Sequence, residues 1–94
     1  MIVNEKHWSV DITIDEHTAA EGNRTRAIAR LRSRDDTHIV GSGFARCNPS
    51  DRDVPEIGDE LAVARALSHL ARQLIEATAA DLENVTHEPA HLNA

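Results

Sequence analysis

The chain is poor in aromatic residues and in cysteine. Trp8 and Phe44 are its only aromatics, so any core has to be built from Val, Ile, Leu and Ala. Cys47 is the single cysteine, which excludes an intrachain disulfide and points to a reduced, cytoplasmic setting. Long apolar runs are missing as well. Met1-Ile2-Val3 passes at once into Asn4, Glu5 and Lys6, which leaves no room for the apolar region of a secretion signal. No stretch approaches the length of a membrane span, so no membrane partner is expected. Lysine is confined to Lys6, and the other nine of ten basic residues are arginine, whose planar fork suits phosphate and carboxylate.

With 94 residues the chain has room for one domain, residues 1–94, with 87–94 as a C-terminal tail. A domain of this size buries a modest share of its surface and gains much from a partner. The net charge of −6 argues against generic nucleic-acid binding, but it is unevenly spread. Residues 1–50 carry seven basic and seven acidic residues, whereas 51–94 carry three and nine. An anion-binding role therefore has to use the first half.

Three segments alternate with the period of a strand. In 7–15, Trp8, Val10, Ile12 and Ile14 fall on one face and Ser9, Asp11, Thr13 and Asp15 on the other. Gly22-Asn23 marks a turn. In 24–33, Ala27, Ala29 and Leu31 oppose Arg24, Arg26, Ile28, Arg30 and Arg32, with Arg34 continuing the row. Asp35-Asp36-Thr37 reads as a tight turn. A third strand spans 38–46. Its Gly41, Gly43 and Ala45 share a flat face that would admit a close helix, but alternation alone leaves open which face is inside. After a loop from Asn48 past Pro55, a helix is expected from about Asp59 to Ala77. Thr78-Ala79-Ala80-Asp81 has capping-box spacing and suggests a second short helix over about 79–85. The expected fold class is α+β, a three-stranded antiparallel sheet followed by a long and a short helix.

On a helical wheel Arg65, His69, Arg72, Gln73 and Glu76 share one polar arc, and Val63, Leu67, Leu70 and Leu74 form a ridge near the opposite side. The apolar arc spans about 220°, twice what one sheet face needs. Either the short helix and the 49–57 loop cover the surplus, or a second copy does. A homodimer in which helices or sheets of two copies pack is the expectation, with Val63, Leu67, Leu70 and Leu74 as a dimer or core surface.

Catalytic signals are weak. His87-Glu88-Pro89-Ala90-His91 spells the zinc-protease signature, but that motif needs a helix to set both histidines on one face, and Pro89 breaks it. His7, His17, His38 and His69 stand singly. Gly41-Ser42-Gly43 lacks the partners of a phosphate loop or a nucleophile elbow. No enzyme, metal, cofactor or small-molecule substrate is expected. The arginine row is the strongest feature. Arg24, Arg26, Arg30, Arg32 and Arg34 would line one sheet face over about 33 Å. Asp11 and Asp15 on the neighbouring strand could neutralise part of it, leaving a positive groove for phosphates or an acidic partner. No exposed aromatic is expected among the arginines.

The segments His7-Trp8-Ser9-Val10-Asp11-Ile12, Thr25-Arg26-Ala27, Ala29-Arg30-Leu31, Val40-Gly41, Ala45-Arg46, Asn48-Pro49 and Ile57 through Leu67 resemble the small actinobacterial proteins grouped as domain of unknown function 1876. The resemblance spans about residues 7–90. It implies a β-β-β-α fold like a double-stranded-RNA-binding domain without its first helix. It also implies dimers, no known catalysis, and a link to dormancy and ribosome hibernation. The expected function is a dimeric, non-enzymatic binding module that acts in stress, with the ribosome or its RNA as partner. The alternative is a protein–protein adaptor without nucleic-acid contact.

Overall fold

The computed structural model describes residues 2–20, 22–33, 38–47, 52 and 54–92. Arg34, the turn expected at Asp35-Asp36-Thr37, and Asn48–Asp51 lie outside the described residues. Three strands, β1 (Ser9–His17), β2 (Asn23–Arg32) and β3 (Val40–Cys47), form an antiparallel sheet in the order β1-β2-β3. Gly22, with φ 124°, supplies the left-handed turn ahead of β2. Ile14 lies opposite Ala27, and Ala27 lies opposite Gly43. One face of the sheet thus carries Val10, Ile12, Ile14, Ala27, Ala29, Gly41, Gly43 and Ala45.

A single helix, α1 (Pro55–Thr86), lies on that face. It starts four residues before Asp59 because Pro55 is pre-set for the first turn. It also runs through the expected break. Thr78 Oγ donates to the Leu74 carbonyl (2.8 Å) one turn back, so it starts no new helix, and Ala79-Ala80 favours continuation. The short helix over 79–85 is therefore the end of α1. His87, at φ 60°, caps the helix, its N–H donating to the Glu83 carbonyl (2.7 Å). The helix ends at Thr86, ahead of the His87–His91 motif, so the two histidines do not share a helical turn.

The face of α1 that meets the sheet is Ala62, Ala66 and Leu70, a stripe of mostly small residues. Of the expected ridge, Leu70 is buried, Val63 and Leu74 pack partly against the core, and Leu67 remains 40% exposed. The stripe sits directly over Gly41 and Gly43. A side chain added at Gly41 would strike the backbone of Ala66 and Leu70, and one at Gly43 the backbone of Ala62 and Ala66. The flat glycine face of β3 therefore faces inward and admits the helix at backbone range.

The core is correspondingly thin. Its buried hydrophobic members are Ala27, Ala29, Ile39, Ala45, Ala62, Ala66 and Leu70, and no large side chain is fully buried among the described residues. The helix covers β3 and β2 but barely meets β1. Val10, Ile12 and Ile14 stay about 40% exposed although they point to the helix side. The radius of gyration is 17.5 Å, against about 12 Å for a compact chain of this length. Part of the excess is α1, about 48 Å long, which overhangs strands of about 30 Å.

Gly41→Ala or Gly43→Ala should destabilise the protein by about 3 kcal/mol, because only backbone could yield. Gly58→Ala should change stability by less than about 1 kcal/mol. The atom it meets is the Thr25 hydroxyl at 3.1 Å, and alanine gains helix propensity. Urea unfolding of the three variants checks this, and equal losses would contradict the close-packing account.

Candidate functional site

The opposite sheet face carries the arginines. Strand alternation places Arg24, Arg26, Ile28, Arg30 and Arg32 of β2 between Ser9, Asp11, Thr13, Asp15 and His17 of β1 and Val40, Ser42, Phe44 and Arg46 of β3. The register decides which arginines are neutralised. Arg26 Nη2 binds Asp15 Oδ2 at 2.8 Å from the directly opposed position. Asp11 lies opposite Arg30 but pairs diagonally with Arg32 through Nε. Arg30 is thereby left without an ion pair among the described residues. These pairs are half-exposed, so each contributes little to stability.

The end of the face nearest the β1–β2 turn is different. His17, Arg24 and Arg46 lie side by side across the three strands. Arg24 and Arg46 are directly opposed like charges, an arrangement that costs stability, and no acid among the described residues pairs with either. The next row is Asp15, Arg26 and Phe44, with Phe44 60% exposed. Arg65 of α1 reaches the sheet edge beside it, where Nη1 donates to the Phe44 carbonyl (2.6 Å). His17, Arg24, Arg26, Phe44, Arg46 and Arg65 line one shallow groove.

The expectation that no exposed aromatic stands among the arginines is therefore corrected. Phe44 belongs to the arginine face because Gly41, Gly43 and Ala45 must face the helix, and alternation turns Val40, Ser42, Phe44 and Arg46 outward. Sequence reading also passed over Arg46, His17 and Arg65. The glycine pattern was the available signal for Phe44 and Arg46. Arg65 and His17 depend on the helix azimuth and the register. Forked guanidinium groups around an exposed ring can bind a phosphate and stack a base or another flat group.

Apart from Asp11 and Asp15, the acids of the regular elements lie mostly off this face. Glu56, Asp59, Glu60, Glu76, Asp81 and Glu83 all lie on α1, in the other layer. No group of three or more His, Cys, Asp or Glu residues suited to a metal ion occurs among the described residues. No helix among them is long and apolar enough to cross a membrane.

The family model described as Rv2632c-like matches residues 6–91. The chain belongs to the Rv2632c-like family. An uncharacterized Mycobacterium tuberculosis protein is 56% identical to it over 87 residues, 93% of this chain and 87% of the relative. Rv2632c of M. tuberculosis, also uncharacterized, is 50% identical over 84 residues, 89% of this chain and 85% of its own length. The crystal structure of Rv2632c matches this fold with a TM-score of 0.77 at 49% identity, covering 93% of this chain and 98% of that one. The sheet and the long helix are thus shared with a solved member of the Rv2632c-like family.

Arg46→Glu should stabilise the protein by about 0.2–1 kcal/mol, because it places an opposite charge across from Arg24. Arg26→Glu should destabilise it by a similar amount, because it opposes Asp15. Chemical denaturation at low salt checks both signs, and the difference should shrink as salt screens the exposed groups.

Proposed function

We propose that this protein is a homodimeric, non-enzymatic binding module whose arginine face holds a phosphate-bearing partner, with ribosomal RNA the leading candidate in a stress or dormancy role. The observation that carries this reading is the opposed Arg24–Arg46 pair beside the exposed Phe44 ring. Folding alone gives no reason for two like charges at facing positions that no acid among the described residues neutralises, whereas an anion seated between them turns that cost into binding energy. Six acids on α1, in the layer opposite the arginine face, lessen the objection raised by the net charge of −6. The resemblance to the domain of unknown function 1876 proteins, to double-stranded-RNA-binding folds lacking the first helix, and to hibernation factors belongs to this reading, as does a cytoplasmic location. Homodimerisation rests on the thin core and on the half-exposed Val10, Ile12, Ile14 and Leu67.

A protein–protein adaptor is the second reading. Exposed Leu82 and Val85 on the overhanging end of α1 favour it, because they offer an apolar contact remote from the arginines.

Co-sedimentation with ribosomes through a sucrose cushion separates the two. The wild type should pellet at low salt. With about four phosphate contacts its affinity should fall roughly 50-fold between 50 and 200 mM salt. Arg24→Glu/Arg46→Glu, folded by circular dichroism, should stay in the supernatant. Absence of wild-type protein from the pellet at every salt concentration would overturn the ribosomal reading, and salt-insensitive binding retained by the variant would favour the adaptor.

A further inference from the structure

The two edges of the sheet are treated in opposite ways. At β3 the outward N–H of Ser42 donates to His69 Nδ1 (3.0 Å), and the outward carbonyl of Phe44 accepts from Arg65 (2.6 Å). Two side chains of α1 thus occupy the hydrogen-bonding groups that another strand would need, which is one way a protein closes an edge. At β1 nothing comparable occurs among the described residues. Its nine residues contain no proline, lysine or bulge, and α1 barely reaches it.

The groups that β1 presents at its open edge follow from the register. Ser42 and Phe44 point away from β2, so the odd-numbered residues of β3 bond to β2, as the Leu31 N–H to Ile39 carbonyl bond (3.0 Å) also requires. The even-numbered residues of β2 therefore bond to β1, where their partners are odd-numbered. Val10, Ile12 and Ile14 are left with N–H and C=O groups directed outward. The same three residues carry the half-exposed apolar side chains. Backbone and side-chain demand thus coincide on one strip of one strand.

We propose that a second copy of this chain adds along the β1 edge, antiparallel, with the two-fold axis at Ile12. The inference rests on the homodimer of the preceding reading and specifies its interface. A second copy is favoured over an unrelated strand because the sequence of β1 is self-complementary in this register. Ile12 faces Ile12 of the partner subunit, and Val10 faces Ile14 of the partner subunit in both directions. On the other face Asp11 meets a threonine and Asp15 a serine. Slipping by one allowed step in one direction opposes Asp11 to its own copy. Slipping the other way opposes Asp11 to Asp15 and sets Val10 against Glu16. Such like-charge pairs are destabilising. The three apolar pairs would exchange about six backbone hydrogen bonds, two for each pair. Two three-stranded sheets become one continuous sheet. Both helices lie on one side, with the aliphatic strip in the valley between them, and both arginine faces lie on the other.

Cysteine crosslinking in a Cys47→Ser background tests the register. Ile12→Cys should form a disulfide-linked dimer under mild oxidation, since the two Cα atoms would stand about 5.5 Å apart. Ile14→Cys, equally exposed, should not, because its own copy lies about 13 Å away along the strand. Ile12→Pro removes one outward donor and leaves the β1–β2 bonds intact, so it should weaken dimerisation at least tenfold in analytical ultracentrifugation while circular dichroism stays unchanged. A dimer that ignores Ile12→Pro and does not crosslink at position 12 would overturn this interface and leave the homodimer standing. Equal crosslinking at 12 and 14 would overturn the register. A monomer at all concentrations would overturn both the interface and the dimer.

Discussion

The backbone of α1 at Ala62, Ala66 and Leu70 rests where side chains of Gly41 and Gly43 would otherwise be, and most other features of the molecule follow from this approach. Backbone-range packing requires small residues on both sides, so five of the seven buried hydrophobic residues are alanines. Each contributes about one methyl group, roughly 0.8 kcal/mol of burial. The larger aliphatic residues are displaced to the margins: Val63, Leu67 and Leu74 on the helix, and Val10, Ile12 and Ile14 on β1. A helix seated this tightly over β3 cannot also lie over β1.

The same seating fixes the chemistry of both edges and both faces. It brings Arg65 and His69 to the outer edge of β3, where they occupy its backbone groups, and among the described residues α1 gives the outer edge of β1 no such cover. It turns Phe44 and Arg46 outward to complete an arginine face that Asp11 and Asp15 neutralise only in part. A basic sheet face and an apolar edge are separate surfaces on this fold, so the two proposed contacts would not compete.

Much of the fold was legible in the sequence. The alternation of Val10, Ile12 and Ile14 and of Ala27, Ala29 and Leu31 identified two strands and their faces, and the glycines of β3 signalled close helix packing. The helix C-terminus was misjudged because Thr78-Ala79-Ala80-Asp81 has the spacing of a cap. The Thr78 hydroxyl bonds back to Leu74, a choice that spacing alone does not reveal. The candidate site was half legible. The row Arg24, Arg26, Arg30 and Arg32 followed from parity. Which arginines lose their charge to Asp11 and Asp15 depends on register and on a diagonal contact. Arg65 enters the site from a residue far along the chain, through a helix azimuth that only packing determines.

The proposed second copy would complete this thin-cored fold at the β1 edge. Amide hydrogen exchange at Val10, Ile12 and Ile14, followed over a dilution series, tests it most directly. The account predicts protection of these three amides at high concentration and its loss on dilution, while β2 amides stay protected throughout. Fast exchange of Val10, Ile12 and Ile14 at every concentration would contradict it.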